Sequence, residues 1–170
     1  MISSALLLLF AAGVLLCVGR WTREDALLRR GATLLMLAIL LLGMLLPADG
    51  IDVLRDAMLA MLGSSLPTVP GPSVAIWAHL VLFAFTGLLL GRLRHHFGWV
   101  RVLAFLLVLA VMTEVMQFFS PGRYPSWFDV GTNVLGISVG LTLMAAVMGL
   151  GTRLGMVLRS SPKAERIGQG

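Results

Sequence analysis

Apolar residues in this chain come in long runs, not in the short alternations of a soluble fold. Five runs, at about 2–19, 31–47, 73–91, 100–119 and 130–150, are long enough, or nearly so, to cross about 30 Å of hydrocarbon at about 1.5 Å per residue. Five membrane-spanning helices are therefore expected. The first run lacks the basic flank of a signal peptide, so a retained span is expected. Pro47 closes the second. Between the second and third runs lies "DGIDVLRDAMLAML". There Ile51, Leu54, Met58, Leu59, Met61 and Leu62 recur at helical spacing, opposite Asp52, Arg55 and Asp56. This predicts a short amphipathic helix in the membrane interface, with Asp49 as a candidate cap, or else a plain connecting helix. "SSLPTVPGPS" then breaks regular structure.

Composition supports lipid as the main solvent. Of 170 residues, 58% are hydrophobic and 12% charged, about half the charged share of an ordinary soluble domain. The fold class expected is all-α: a polytopic transmembrane bundle of about five spans plus the interfacial helix. Three segments follow: a first span and basic loop over 1–30, a membrane domain over 31–150 and a basic tail over 151–170, expected to be disordered. Cys17 lies alone inside an apolar run, so no internal disulfide forms.

The net charge of +5 does not point to nucleic acid, because the basic residues flank the apolar runs. Eleven of the thirteen Lys and Arg residues fall in the loops 20–30 and 92–101 and in the C-terminal tail, and only Arg55 and Arg123 in the other two loops. The positive-inside rule then puts the N-terminus outside, the C-terminus in the cytoplasm and the loop within 112–136 on the outer face.

Five polar residues interrupt the late apolar runs. Glu114 and Gln117 are three apart and share a helix face; Asp129 and Asn133 are four apart and share another. Counting rise from the outer boundary places His79, Glu114, Gln117 and Asn133 in one layer, the outer third of the membrane. Lipid exposure of such groups is costly, so they should face inward and find partners. Arg123, in the connection "SPGRYPSWF", is the expected partner of Glu114 or Asp129 through a bidentate contact. The cluster is either structural glue or a site for a polar headgroup. His95 and His96 have no further ligands nearby in sequence, and no metal site is expected. Gly87 and Gly91, and Gly136 and Gly140, form two four-residue pairs suited to close packing within one molecule.

The order Glu114-x-x-Gln117, Arg123, Asp129-x-x-x-Asn133-x-x-Gly136-x-x-x-Gly140 resembles the VanZ-like family of bacterial membrane proteins. The segment "HLVLFAFTGLLLG", starting at His79, is similar to an earlier span of that family. The resemblance covers about 73–142, with 31–47 as a plausible preceding span. Two departures stand out: Ala75 and Ile76 occupy positions where Asp-Lys is common, and Leu80 stands where Phe is common. The resemblance implies a bacterial cytoplasmic-membrane protein of the cell envelope. It also implies a context of resistance to glycopeptides such as teicoplanin, without a defined reaction or cofactor.

Two function classes stay open. One is a non-enzymatic envelope protein whose residues His79, Glu114, Gln117, Arg123, Asp129 and Asn133 bind a lipid-linked glycan or a lipoglycopeptide tail. The other is a small intramembrane hydrolase or transferase with Glu114 as general base and Arg123 holding a phosphate. A non-catalytic assembly partner, with membrane-protein partners or as a homo-oligomer, is also compatible. Without a duplicated half, a monomeric transporter is not expected.

Overall fold

The structure is a computed structural model describing residues 2–62 and 71–159, with side chains described except at 2, 3, 54, 55, 58, 59, 62, 71–75 and 154–159. Seven helices make up the described chain, with no strand. They are α1 (Ile2–Trp21), α2 (Leu27–Leu45), α3 (Ala48–Leu62), α4 (Gly71–Gly91), α5 (Arg94–Phe97), α6 (Trp99–Gln117) and α7 (Trp127–Arg159). Four of them (α1, α2, α6 and α7) are long and apolar enough to cross a membrane, and α4 adds a shorter apolar run over Ile76–Gly91. This is the all-α bundle expected from the apolar runs.

Helix ends differ from the runs where charge, not conformation, ended the apolar stretch. Helix α2 starts at Leu27 and carries Arg29 and Arg30 in its first turns, because arginine is a good helix former. Helix α7 continues through 151–159, so the tail expected to be disordered from 151 is helical to Arg159. Residues 160–170, and the breaker segment 63–70, lie outside the described residues. Helix α3 forms where the amphipathic pattern placed it. Asp49 sits inside its first turn, not before it as a cap. Asp52 and Asp56 are exposed as expected, and so is Met61, on the face expected to be apolar. Leu54, Met58, Leu59 and Leu62 fall outside the described side chains.

The core runs between α1, α2, α4, α6 and α7, through Val18, Leu37, Leu40, Phe83, Leu90, Leu106 and Ile137. Leu8, Leu16, Leu35, Val108, Leu135 and Val147 point outward, as they would toward lipid. At one end of the bundle Arg92 joins three groups of the α1–α2 region. Its Nη2 donates to Asp25 Oδ2 at 2.9 Å, Thr33 Oγ1 at 2.7 Å and the Arg29 carbonyl at 3.1 Å. Trp21 packs on Phe97 and Phe105 beside it. The other end is closed by the turn 118–126 over the end of α2.

The most extensive helix contact is between α4 and α7, which run parallel. A Cβ on Gly136 would lie 2.5 Å from the Leu80 carbonyl oxygen and one on Gly87 2.8 Å from that of Ile137. A Cβ on Gly140 would collide with the Ala84 carbonyl. The four-residue glycine spacing therefore serves intramolecular packing, with backbone lying against backbone. Gly140→Ala should lower the melting temperature of the protein in detergent, at a cost of about 1–3 kcal/mol. Gly149→Ala, where nothing lies within 4 Å, should leave it unchanged. Equal melting temperatures for the two variants would contradict this packing.

Candidate functional site

The site begins with that glycine contact. Leu80, whose carbonyl lies against Gly136, is next to His79, and Gly136 is three residues from Asn133. Close approach of the two helices brings His79 and Asn133 together, with His79 Nδ1 2.9 Å from Asn133 Oδ1. An amide oxygen only accepts, so Nδ1 carries the proton and donates it. Helix α6 adds the third side. Its buried stripe Val102, Leu106, Leu109, Ala110, Thr113 continues into Glu114 and Gln117, so the helical repeat that buries the aliphatic residues also buries these two polar ones.

Glu114 Oε1 lies 3.6 Å from His79 Nδ1 and accepts from Asn133 Nδ2 and Gln117 Nε2, each at 3.4 Å. The Ser126 backbone N–H donates to Oε2 at 3.4 Å. Gln117 Nε2 also faces Met44 Sδ at 3.9 Å. His79, Glu114, Gln117 and Asn133 are all buried. Asp129 is half-buried in the first turn of α7. Ligand atoms of His79, Glu114 and Asp129 all lie within 4.8 Å of one another. From the sequence these three residues fall in one candidate headgroup site, and no metal is expected there.

Arg123 takes a different place from the one expected. It pairs with neither Glu114 nor Asp129. Its Nη2 donates to the Gly43 carbonyl at 2.8 Å and its Nε to the Leu46 carbonyl at 3.2 Å. The cause lies in α2. The Gly43 carbonyl would normally accept from the backbone N–H four residues on, but that residue is Pro47, which has none. A half-buried carbonyl at a helix C-terminus is left open, and the guanidinium fills it. Ser120 Oγ donates to the Leu45 carbonyl at 3.0 Å, and the Ala48 N–H to the Pro121 carbonyl at 3.2 Å. The connection is thus strapped across the α2–α3 corner, and Gly122, at φ +73°, makes the turn that allows it. Burial lowers the Arg123 pKa from its ordinary value, and the charges of Glu114 and Asp129 oppose that shift. Arginine is in any case never deprotonated in proteins.

A cavity of about 150 Å³ opens between α6 and α7, lined by Val111, Glu114, Val115, Pro125, Ser126, Trp127 and Val130. Glu114 and Ser126 are its polar members, and the rest is apolar. Of the cluster, Glu114 alone lines this cavity, between α6 and α7 at the end of the bundle covered by the 118–126 turn.

A family model described as VanZ/LLP1 matches residues 5–148. The chain belongs to the VanZ/LLP1 family. It is accordingly a membrane protein of the VanZ type. The match extends well beyond the 73–142 stretch on which the resemblance rested and takes in α1, which had fallen outside it. No curated protein and no solved structure matches this VanZ/LLP1 chain.

Two double-mutant cycles check the contacts. His79→Phe and Asn133→Leu each leave a buried partner unsatisfied, whereas the double variant removes both. Their coupling, measured by thermal unfolding in detergent, should reach about 0.5–3 kcal/mol. Glu114→Gln with Arg123→Gln should couple less, because the two side chains share no hydrogen bond. A larger coupling for the second pair would restore the Glu114–Arg123 ion pair.

Proposed function

We propose that this protein is a bacterial cytoplasmic-membrane protein of the cell envelope that binds the headgroup of a lipid-linked or lipophilic molecule at the His79–Glu114–Asn133 cluster. The observation that carries this is the position of Glu114, a buried carboxylate that also lines a side-opening, mostly apolar cavity. An intramembrane ionisable group is a functional candidate because its burial is costly. A molecule held by a lipid tail would reach such a cavity from the bilayer. The cluster offers two carboxylates, two amides and an imidazole, while the guanidinium of Arg123 is occupied by the Gly43 and Leu46 carbonyls. That balance favours headgroups rich in O–H and N–H donors, such as glycans or amide-bearing tails, over phosphates. It also weakens the role of Arg123 as a phosphate clamp.

In this reading the protein crosses the membrane five times, with the N-terminus and the 118–126 turn outside and the C-terminus in the cytoplasm. The basic loops around Arg23 and Arg94 share one end of the bundle, opposite the Arg123 turn, which supports that alternation. Tyr124 and His95 are exposed at the two ends. In a Cys17→Ser background, Tyr124→Cys should react with an impermeant maleimide in intact protoplasts and His95→Cys only after permeabilisation. The reverse pattern would invert the topology and remove the outer-leaflet site.

A second reading is catalytic. Glu114 and His79, with 3.6 Å between Oε1 and Nδ1, form a pair able to exchange a proton during hydrolysis or transfer. The discriminating experiment is complementation of a deletion strain, with protein level measured beside resistance to teicoplanin-like and other envelope-targeting agents. Glu114→Gln and Asn133→Asp should keep membrane abundance and lose the phenotype. Full phenotype from well-expressed Glu114→Ala and Asn133→Ala would remove the binding site and leave a scaffold role. Turnover of a lipid-linked glycan by the purified protein, abolished by Glu114→Gln, would favour the catalytic reading.

A further inference from the structure

The cluster raises a charge question that its own hydrogen bonds do not answer. Glu114 and Asp129 bring two carboxylates within 4.8 Å of each other and of His79, at a place where Glu114 is almost wholly removed from solvent. Two carboxylates this close repel one another, and a cation between them removes that repulsion. The guanidinium of Arg123 feels both carboxylates at a distance, but its hydrogen bonds go to the α2 carbonyls. Among the described residues every polar contact to Glu114 is 3.4 Å or longer. Charge-assisted hydrogen bonds to a carboxylate normally run about 2.7–2.9 Å. Glu114 is thus a buried carboxylate whose partners surround it without closing on it.

We infer that His79, Glu114 and Asp129 form a binding site for a divalent transition-metal cation of the zinc class. The donor separations suit such an ion. Zn²⁺ binds nitrogen and oxygen at about 2.0–2.2 Å in a tetrahedral shell, so its ligands lie about 3.3–3.6 Å apart. His79 Nδ1 is 3.6 Å from Glu114 Oε1 and 2.9 Å from Asn133 Oδ1. The Asp129 ligand atom lies within 4.8 Å of the other two, so it closes on the ion by side-chain movement on the order of 1 Å, and Asp129 is the half-buried member of the three. The metal replaces the Nδ1 proton, which leaves to solvent. Asn133 Oδ1 then becomes an additional oxygen donor beside it.

The ligand types select the ion. An imidazole with two carboxylates suits zinc and its neighbours, whereas Mg²⁺ and Ca²⁺ favour all-oxygen shells and soft Cu(I) wants thiolate or thioether. Three side chains from three different helices, α4, α6 and α7, would be tied by one ion, which also balances both carboxylates. Glu114 borders the α6–α7 cavity, so the metal has an approach for water or an exogenous oxygen. This site does not rest on the headgroup reading and is tested with the metal alone.

The experiment uses the full chain purified in detergent, stripped with chelator and dialysed against Zn²⁺, Mn²⁺ or Mg²⁺, with bound metal measured by mass spectrometry. The expected result is retention of about one Zn²⁺ per chain and a higher melting temperature on zinc addition. Asp129→Asn should weaken zinc binding at least about tenfold while keeping the melting temperature of the stripped wild type. Glu114→Gln is the second variant and should lose zinc likewise. His95→Ala with His96→Ala should retain it. No stoichiometric zinc, zinc retained equally by both carboxylate variants, or zinc lost in the His95/His96 variant would overturn the site. Retention of Mg²⁺ in preference to Zn²⁺ would overturn the assignment to the zinc class.

Discussion

Backbone contact between α4 and α7 is the constraint on which the rest depends. In lipid the aliphatic side chains gain nothing by leaving the solvent, so helices associate by close fit and by polar contacts. Gly87, Gly136 and Gly140 supply the fit, because at each of them a Cβ would strike a carbonyl of the partner helix. The fit has a chemical consequence. Two parallel helices in backbone contact hold residues one turn above that contact within hydrogen-bonding distance, and those residues are His79 and Asn133. Glu114 and Gln117 then complete the cluster from α6, as polar members of its buried stripe.

A second constraint comes from one missing hydrogen atom. Pro47 ends α2 and also leaves the Gly43 carbonyl without its donor. Arg123 takes that place, which fixes the 118–126 turn across the end of α2. The turn in turn delivers the Ser126 N–H to Glu114 Oε2. Arg123 therefore positions the loop and acts on the carboxylates only at a distance, and among the described residues no cationic side chain of Lys or Arg is bonded to them. The contacts that hold α4, α6 and α7 together are made by the same atoms that a headgroup or an ion would meet.

Much of this was legible in the sequence for a physical reason. Long apolar runs and a fixed helical rise set how far along its helix each residue sits, so the grouping of His79, Glu114, Gln117 and Asn133 at one level of the bundle followed from counting. Spacing within one helix also set which residues share a face. Rotation of one helix against another is not a property of either sequence alone, so Asp129 was placed in one candidate site with His79 and Glu114 but not as a third ligand atom within 4.8 Å of theirs. The partner of Arg123 was misread because opposite charges were matched and backbone carbonyls were left out. A proline four residues after Gly43 was the available signal. The end of α7 was misread because hydropathy stops at the membrane surface while helix propensity continues to Arg159.

The central claim is that α4 and α7 meet with His79 facing Asn133, and proximity tests it directly. In a Cys17→Ser background, His79→Cys and Asn133→Cys should be joined within one chain by a short thiol-to-thiol cross-linker in native membranes, with the linked peptides identified by mass spectrometry. The control pair Val81→Cys and Val139→Cys replaces residues that are exposed on the same two helices. Rapid linkage of the 79/133 pair and little linkage of the control pair is the predicted result. Equal linkage of both pairs, or linkage of the control pair alone, would contradict the account.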